Sequence, residues 1–214
     1  MKYLAVVTAL FLLMVPGLML PGLSQQKDPD RRSDASQAGA SVLMYRDGAG
    51  FFIDTPKGWV VDQEVGKRNG TCCVYYPKGS TWDNAETVMY PNIATKGPGQ
   101  RTLDEFMESD LKNFRTHDPG MKYEDAKDVP LQNKRVAKVR IFRGVNRGSS
   151  ETVAYVDEEK IIALFVMSSK TEKGLNESMP VFRSAVQTYL YMNVAVDKGA
   201  KPGDEQSPQA PKNQ

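Results

Sequence analysis

One histidine and two cysteines are all that this chain of 214 residues offers of the side chains most used in nucleophilic and metal chemistry. The cysteines, Cys72 and Cys73, are neighbours. Adjacent thiolates lack the spacing that lets two sulfurs close on one metal, and a single imidazole cannot complete the set, so no structural zinc centre is expected. A catalytic triad would have to recruit His117 to a distant Ser or Cys, and no Gly-x-Ser-x-Gly elbow exists to expose one. His117 is instead expected to steady the last carbonyls of a helix. The stretch Gly144-Val145-Asn146-Arg147-Gly148 lacks the Lys-Ser/Thr of a phosphate loop and the third glycine of a dinucleotide fingerprint, and reads as a hairpin loop. Acidic neighbours such as Asp104-Glu105 and Glu158-Glu159 lack the burial and separation of hydrolytic pairs. No catalytic, metal or cofactor residues are therefore assigned, and the protein is expected not to be an enzyme.

Charge of one sign is scarce as well. The net charge is +2, and no basic run reaches five residues, which removes the electrostatic reason to expect nucleic acid or an anionic membrane as partner. Beyond Gln26 the longest apolar run, Ile161 to Met167, has strand length and cannot cross a bilayer.

The first residues differ. Met1-Lys2-Tyr3 carries one positive charge, Leu4 to Val15 is apolar except for Thr8, and Gly22-Leu23-Ser24 places small residues where a signal peptidase reads them. Residues 1–24 are thus predicted to be a signal peptide, cleaved before Gln25, with the mature protein periplasmic or secreted. The alternative is an uncleaved anchor over residues 3–26, which Pro16-Gly17 and Pro21-Gly22 weaken as a spanning helix. Without the leader the chain is nearly neutral and has no means of stable membrane insertion. Residues 25–44 and 193–214 are polar, rich in Gln, Asp, Ser, Gly and Pro, and are predicted to be a linker and a tail without a core. Between them, 45–192 is long enough for one hydrophobic core.

Within that domain, Gly50 to Asp54 alternates as a strand and stops at Thr55-Pro56-Lys57-Gly58. A strand over Thr71 to Tyr76 would turn Cys72 and Cys73 to opposite faces, as packing residues, with a strained vicinal disulfide or a partner-directed thiol as the alternatives. Thr87 to Thr95 is a further strand that tolerates Pro91 only at an edge or bulge. Thr102 and Glu105 form a capping box ahead of Leu103, Phe106, Met107, Leu111 and Phe114, which predicts a helix ending near His117-Asp118-Pro119-Gly120. Val136 to Arg143, Glu151 to Asp157 and Lys160 to Ser169 read as strands, the last apolar without alternation and so covered on both faces. Asn176-Glu177-Ser178 offers a cap for a second helix with Pro180 in its first turn and a stripe through Met179, Phe182, Val186, Tyr189 and Leu190. This order predicts an α+β fold, an antiparallel sheet flanked by helices.

The run Phe51-Phe52-Ile53-Asp54-Thr55-Pro56-Lys57-Gly58-Trp59, the segment Val74 to Trp82 (VYYPKGSTW), and the ending from Tyr155 through Ile161 to Phe182 resemble the PsbP-like and DcrB-like superfamily. The resemblance spans about Gly50 to Met192. It implies an α/β/α sandwich and an accessory or assembly role without enzymatic activity, with another envelope or secreted protein as partner. No binding residue carries over from it. The aromatic residues Trp59, Tyr75, Tyr76, Trp82 and Tyr90 are the possible binding surface, if several share one exposed groove. A small-ligand carrier with a pocket between sheet and helices, and a hydrolase centred on His117 or Cys72-Cys73, are the alternatives.

Overall fold

A computed structural model describes residues 39–97, 102–146 and 148–193. The predicted signal peptide, most of the predicted linker, nearly all of the predicted tail, and parts of the 96–99 and 144–148 turns lie outside these residues.

The chain opens with a hairpin. Strand β1 (Ser41–Arg46) and strand β2 (Ala49–Asp54) pair antiparallel through Asp47-Gly48, both at positive φ. Two consecutive left-handed residues give the turn whose twist matches the strands, and Asp-Gly supplies them at least cost. The domain therefore begins at Ser41 rather than at 45. Val42 and Met44 of β1 are buried, so the predicted linker ended four residues too late.

The principal sheet follows. Its strands are β3 (Trp59–Asp62), β4 (Val74–Pro77), β5 (Thr87–Thr95), β6 (Lys122–Pro130), β7 (Val136–Val145), β8 (Ser149–Asp157) and β9 (Ile161–Ser169). Their spatial order is β3-β4-β5-β9-β8-β7-β6, antiparallel throughout. β9 lies at the centre. Its odd positions, Ile161, Ala163, Phe165 and Met167, join one core, and its even positions, Ile162, Leu164 and Val166, join another. Both faces being covered explains the unbroken apolar run. Pro91 also has its reason: β4 pairs with β5 only at Tyr75 and Met89, and the Pro91 carbonyl accepts from the Thr71 hydroxyl at 2.8 Å. The missing N–H thus faces a side where the ladder has already stopped.

Helix α1 (Gln63–Arg68) follows β3, capped by Asp62. Helix α2 (Leu103–His117) covers the even face of β9. Both bonds of its capping box form: Glu105 N–H donates to Thr102 Oγ1 at 3.2 Å, and Thr102 N–H to Glu105 Oε2 at 2.9 Å. Helix α3 (Glu172–Gln187) lies on the opposite face. It starts earlier than predicted. Thr171, not Asn176, is the cap, accepting from Gly174 N–H at 3.0 Å, and Pro180 sits in the helix interior. The helix ends before Leu190, which begins strand β10 (Leu190–Asn193) on the free side of β2. Asn193 accordingly belongs to the domain, not to the tail.

The architecture is α+β with antiparallel sheets. It differs from a plain sheet between helix layers because α3 shares its face of the main sheet with the small sheet β1-β2-β10.

Candidate functional site

The five aromatic residues do not share a groove. Trp59 and Tyr75 are buried in the core on the α3 side, and Tyr76 is buried on the other, donating to Asp62 Oδ2 at 2.8 Å. Only Trp82 and Tyr90 keep part of their surface, and they meet edge to face at 6.3 Å. Alternation along β4 sends Tyr75 and Tyr76 to opposite faces, so the cluster in sequence is split in space.

The apolar surface lies elsewhere. Three of the large apolar side chains that are exposed, Leu43, Tyr45 and Leu190, stand on the small sheet. Register aligns them: Phe52 is opposite Leu43 on one side and Leu190 on the other, while Gly50 stands between Tyr45 and Met192. Their neighbours Val42, Met44, Phe51 and Ile53 point into the core, so these side chains make up the outer face. Gly50 is required, since a Cβ there would come within 2.4 Å of the Met44 carbonyl oxygen.

On the far face of the main sheet, a cavity of about 60 Å³ opens under the C-terminal half of α2. Asp110, Asn113, Phe114 and His117, spaced three and four apart on one helix face, form its roof. Tyr90 and Asn92 of β5, Glu151 and Val153 of β8, and Leu164 and Val166 of β9 form its floor. Asp118 and Asn146 close one end.

Two carboxyls meet there. Asp110 is 6% exposed and Glu151 8%. Burial pushes Asp110 up to about 6 against the opposing pull of the Tyr155 hydroxyl and the Arg140 charge. Burial, and next the charge of Asp110, push Glu151 up to about 7, with the Asn146 amide opposing. Tyr90 is raised far above its ordinary range by burial and then by these two carboxylates. Tyr155 Oη donates to Asp110 Oδ2, and Asn146 Nδ2 donates to Glu151 Oε1 at 3.0 Å. Neither residue is strange to its element: Glu151 has the same parity as Val153 and Tyr155, and Asp110 lies in the stripe of Met107, Leu111 and Phe114. A polar residue in an apolar register was the one sequence signal for them.

His117 is where the sequence placed it. Its Nδ1 lies 2.8 Å from the Asn113 carbonyl oxygen, so that nitrogen carries the proton and donates to the last turn. The cysteines pack on the α3 side of the sheet and His117 on the α2 side, so the two are not one hydrolytic site. Cys72 and Cys73 also fall before β4, in a bend, and not on a strand with alternating faces. Their sulfurs approach to 3.2 Å. Among the described residues no group of three or more His, Cys, Asp or Glu is placed to hold a metal, and no helix is long and apolar enough to cross a membrane.

No family model matches the chain, and no curated protein matches it. Among solved structures, the chain is similar to cyanobacterial PsbP (CyanoP) from Synechocystis sp. PCC 6803, with 17% identity, a TM-score of 0.41, and coverage of 73% of this chain and 98% of that one.

Proposed function

We propose that this chain is an exported, non-enzymatic binding or accessory protein of the cell envelope that engages a protein partner through the outer face of its small sheet. The observation that carries the reading is the two-row apolar face of Leu43, Phe52 and Leu190 beside Tyr45 and Met192. Leu43, Tyr45 and Leu190 are exposed around the half-buried Phe52 and Met192, and contiguous apolar patches of this kind mark interaction sites. Aromatic and Met side chains are enriched at the centres of protein interfaces. The near-neutral charge of the mature chain fits a partner recognised by shape and apolar contact rather than by steering.

The test is photo-crosslinking from position 45 in an envelope extract, comparing the parent chain with the Leu43→Asp/Leu190→Asp variant. A discrete adduct that the variant loses at unchanged thermal stability supports the reading. Adduct formation that ignores the substitutions, or no discrete adduct at all, refutes it. N-terminal sequencing of the exported product examines the leader separately: a chain starting near Gln25 supports cleavage, and one starting at Met1 contradicts it.

A further inference from the structure

We infer that the cavity under α2, on the face of the main sheet opposite the proposed docking surface, is a binding site for a small alkylammonium ion. This does not depend on the sheet-face reading, because the two sites share no residue.

The cavity is built, not incidental. Asp110 and Glu151 are both more than nine-tenths buried and reach it from different elements. Each has a single hydrogen-bond partner among the described residues, through Oδ2 and Oε1 respectively. A carboxylate offers about four acceptor positions. Most of that capacity therefore remains unused by protein in a space large enough for several heavy atoms. Among the described residues, the remaining acceptor positions of the two carboxyls have no donor.

Charge selects the ligand further. The described lining carries two buried carboxyls and no lysine or arginine, which disfavours an anion relative to a cation. The titratable groups that face it are Tyr90 from β5, Asp110, His117 and Asp118 from α2 and its end, and Glu151 from β8; Arg140 of β7 and Tyr155 of β8 stand behind Asp110. The walls also favour an organic cation over a metal ion. Tyr90 and Phe114 present ring surface, Val153, Leu164 and Val166 present methyl groups, and no cluster of three metal-ligating side chains exists among the described residues. An ammonium head between the carboxylates with its short alkyl part against rings and methyls uses every wall.

Binding a cation to carboxyls that are partly protonated at neutral pH releases protons, so affinity rises with pH. Isothermal titration calorimetry of the chain with methylammonium and ethylammonium, in buffers of different ionisation heat, reads both quantities. Expected are one site per chain, tighter binding at pH 8 than at pH 5.5, proton release to the buffer, and at least tenfold weaker binding in Asp110→Asn and in Glu151→Gln. In the parent chain, amide NMR shifts confined to residues 110–118 and 146–153 locate the site without relying on the variants. The inference is overturned by absence of heat and shifts for both amines at every pH, by preference for acetate or for a divalent metal, or by shifts elsewhere on the domain.

Discussion

The Tyr155 hydroxyl, on β8, donates to Asp110 Oδ2, on α2, at 2.5 Å, and is the one bond among the described residues that the buried carboxyl receives. It joins helix to sheet at the wall of the cavity. Tyr155→Phe removes the donor and leaves the carboxyl buried without it, which costs about 1–3 kcal/mol. The same change moves the Asp110 pKa further above about 6, because the hydroxyl is the larger of the two influences, with the Arg140 charge, that hold it down. Urea unfolding and carbonyl NMR titration give the two readouts, and an unchanged titration would contradict the assigned role.

Glu151 makes stability depend on pH in an unusual direction. Its folded pKa is raised from an ordinary 4.5 to about 7, so the folded chain binds the proton more tightly than the unfolded chain does. The contribution of the protonated form is complete below pH 4.5 and is lost as pH rises through about 7. Asp110 adds to the same trend over a window from 3.8 to about 6. Glu151→Gln, which is neutral at every pH, is expected to gain stability over the parent between pH 5 and pH 8, by on the order of 2 kcal/mol. Melting curves across that range check it.

Thr102→Ala removes the side chain that caps α2. A loss of about 1 kcal/mol is expected, with faster amide exchange in the first turn of the helix and little change at the cavity, which lies under its other end.

The sequence disclosed most where the cause is local. The capping box at Thr102 and Glu105, the turn at 117–120 and the apolar run of β9 each contain their own reason, and each stands in the structure. β6 was not foreseen, because Lys122, Tyr123, Glu124 and Asp125 at its start are exposed and no periodicity survives in a strand wet on both faces. β10 was missed because it is a strand only beside β2, a long-range pairing that local patterns do not encode, whereas β1 was missed although Asp47-Gly48 is a local hairpin signal, because the polar stretch before Ser41 was extended over it. The start of α3 was misread because Asn176-Glu177-Ser178-Met179-Pro180 imitates a cap, while Leu175, fully buried, shows that the earlier turn is held by the core. The aromatic cluster was legible in sequence and dispersed in space. The carboxyls of the cavity were visible only as polar letters in apolar registers.

Gly66 of α1 touches the backbone of Cys73 so closely that a Cβ would lie 2.3 Å from its Cα. The obstacle is main chain, so Gly66→Ala must displace the helix or the bend, and a cost of about 1–3 kcal/mol is expected from overpacking. Conservative Gly58→Ala is no control, since Gly58 holds positive φ; Gly120, with open space around it, is.

The two thiols should differ in reactivity. Cys72 is half-buried and its pKa is lowered by the hydrogen bond from Cys73, whereas Cys73 is fully buried and pushed far up by that same contact and by burial. Limiting iodoacetamide is therefore expected to label Cys72 first, and Cys72→Ser to slow total labelling at least several-fold. Peptide mapping that finds Cys73 labelled first would contradict this.

The small sheet also decides how the domain meets a pull. β1 and β10 flank β2 and run in the same direction, so the described chain enters at Ser41, beside Asp54, and leaves at Asn193, beside Ala49, at the opposite end. Tension between those two points drags β1 and β10 past β2 in opposite senses along the strand axis. The cross-strand hydrogen bonds lie perpendicular to that axis and are strained together rather than opened one after another. A domain held at one end and loaded at the other would thus meet force with its ladder in shear.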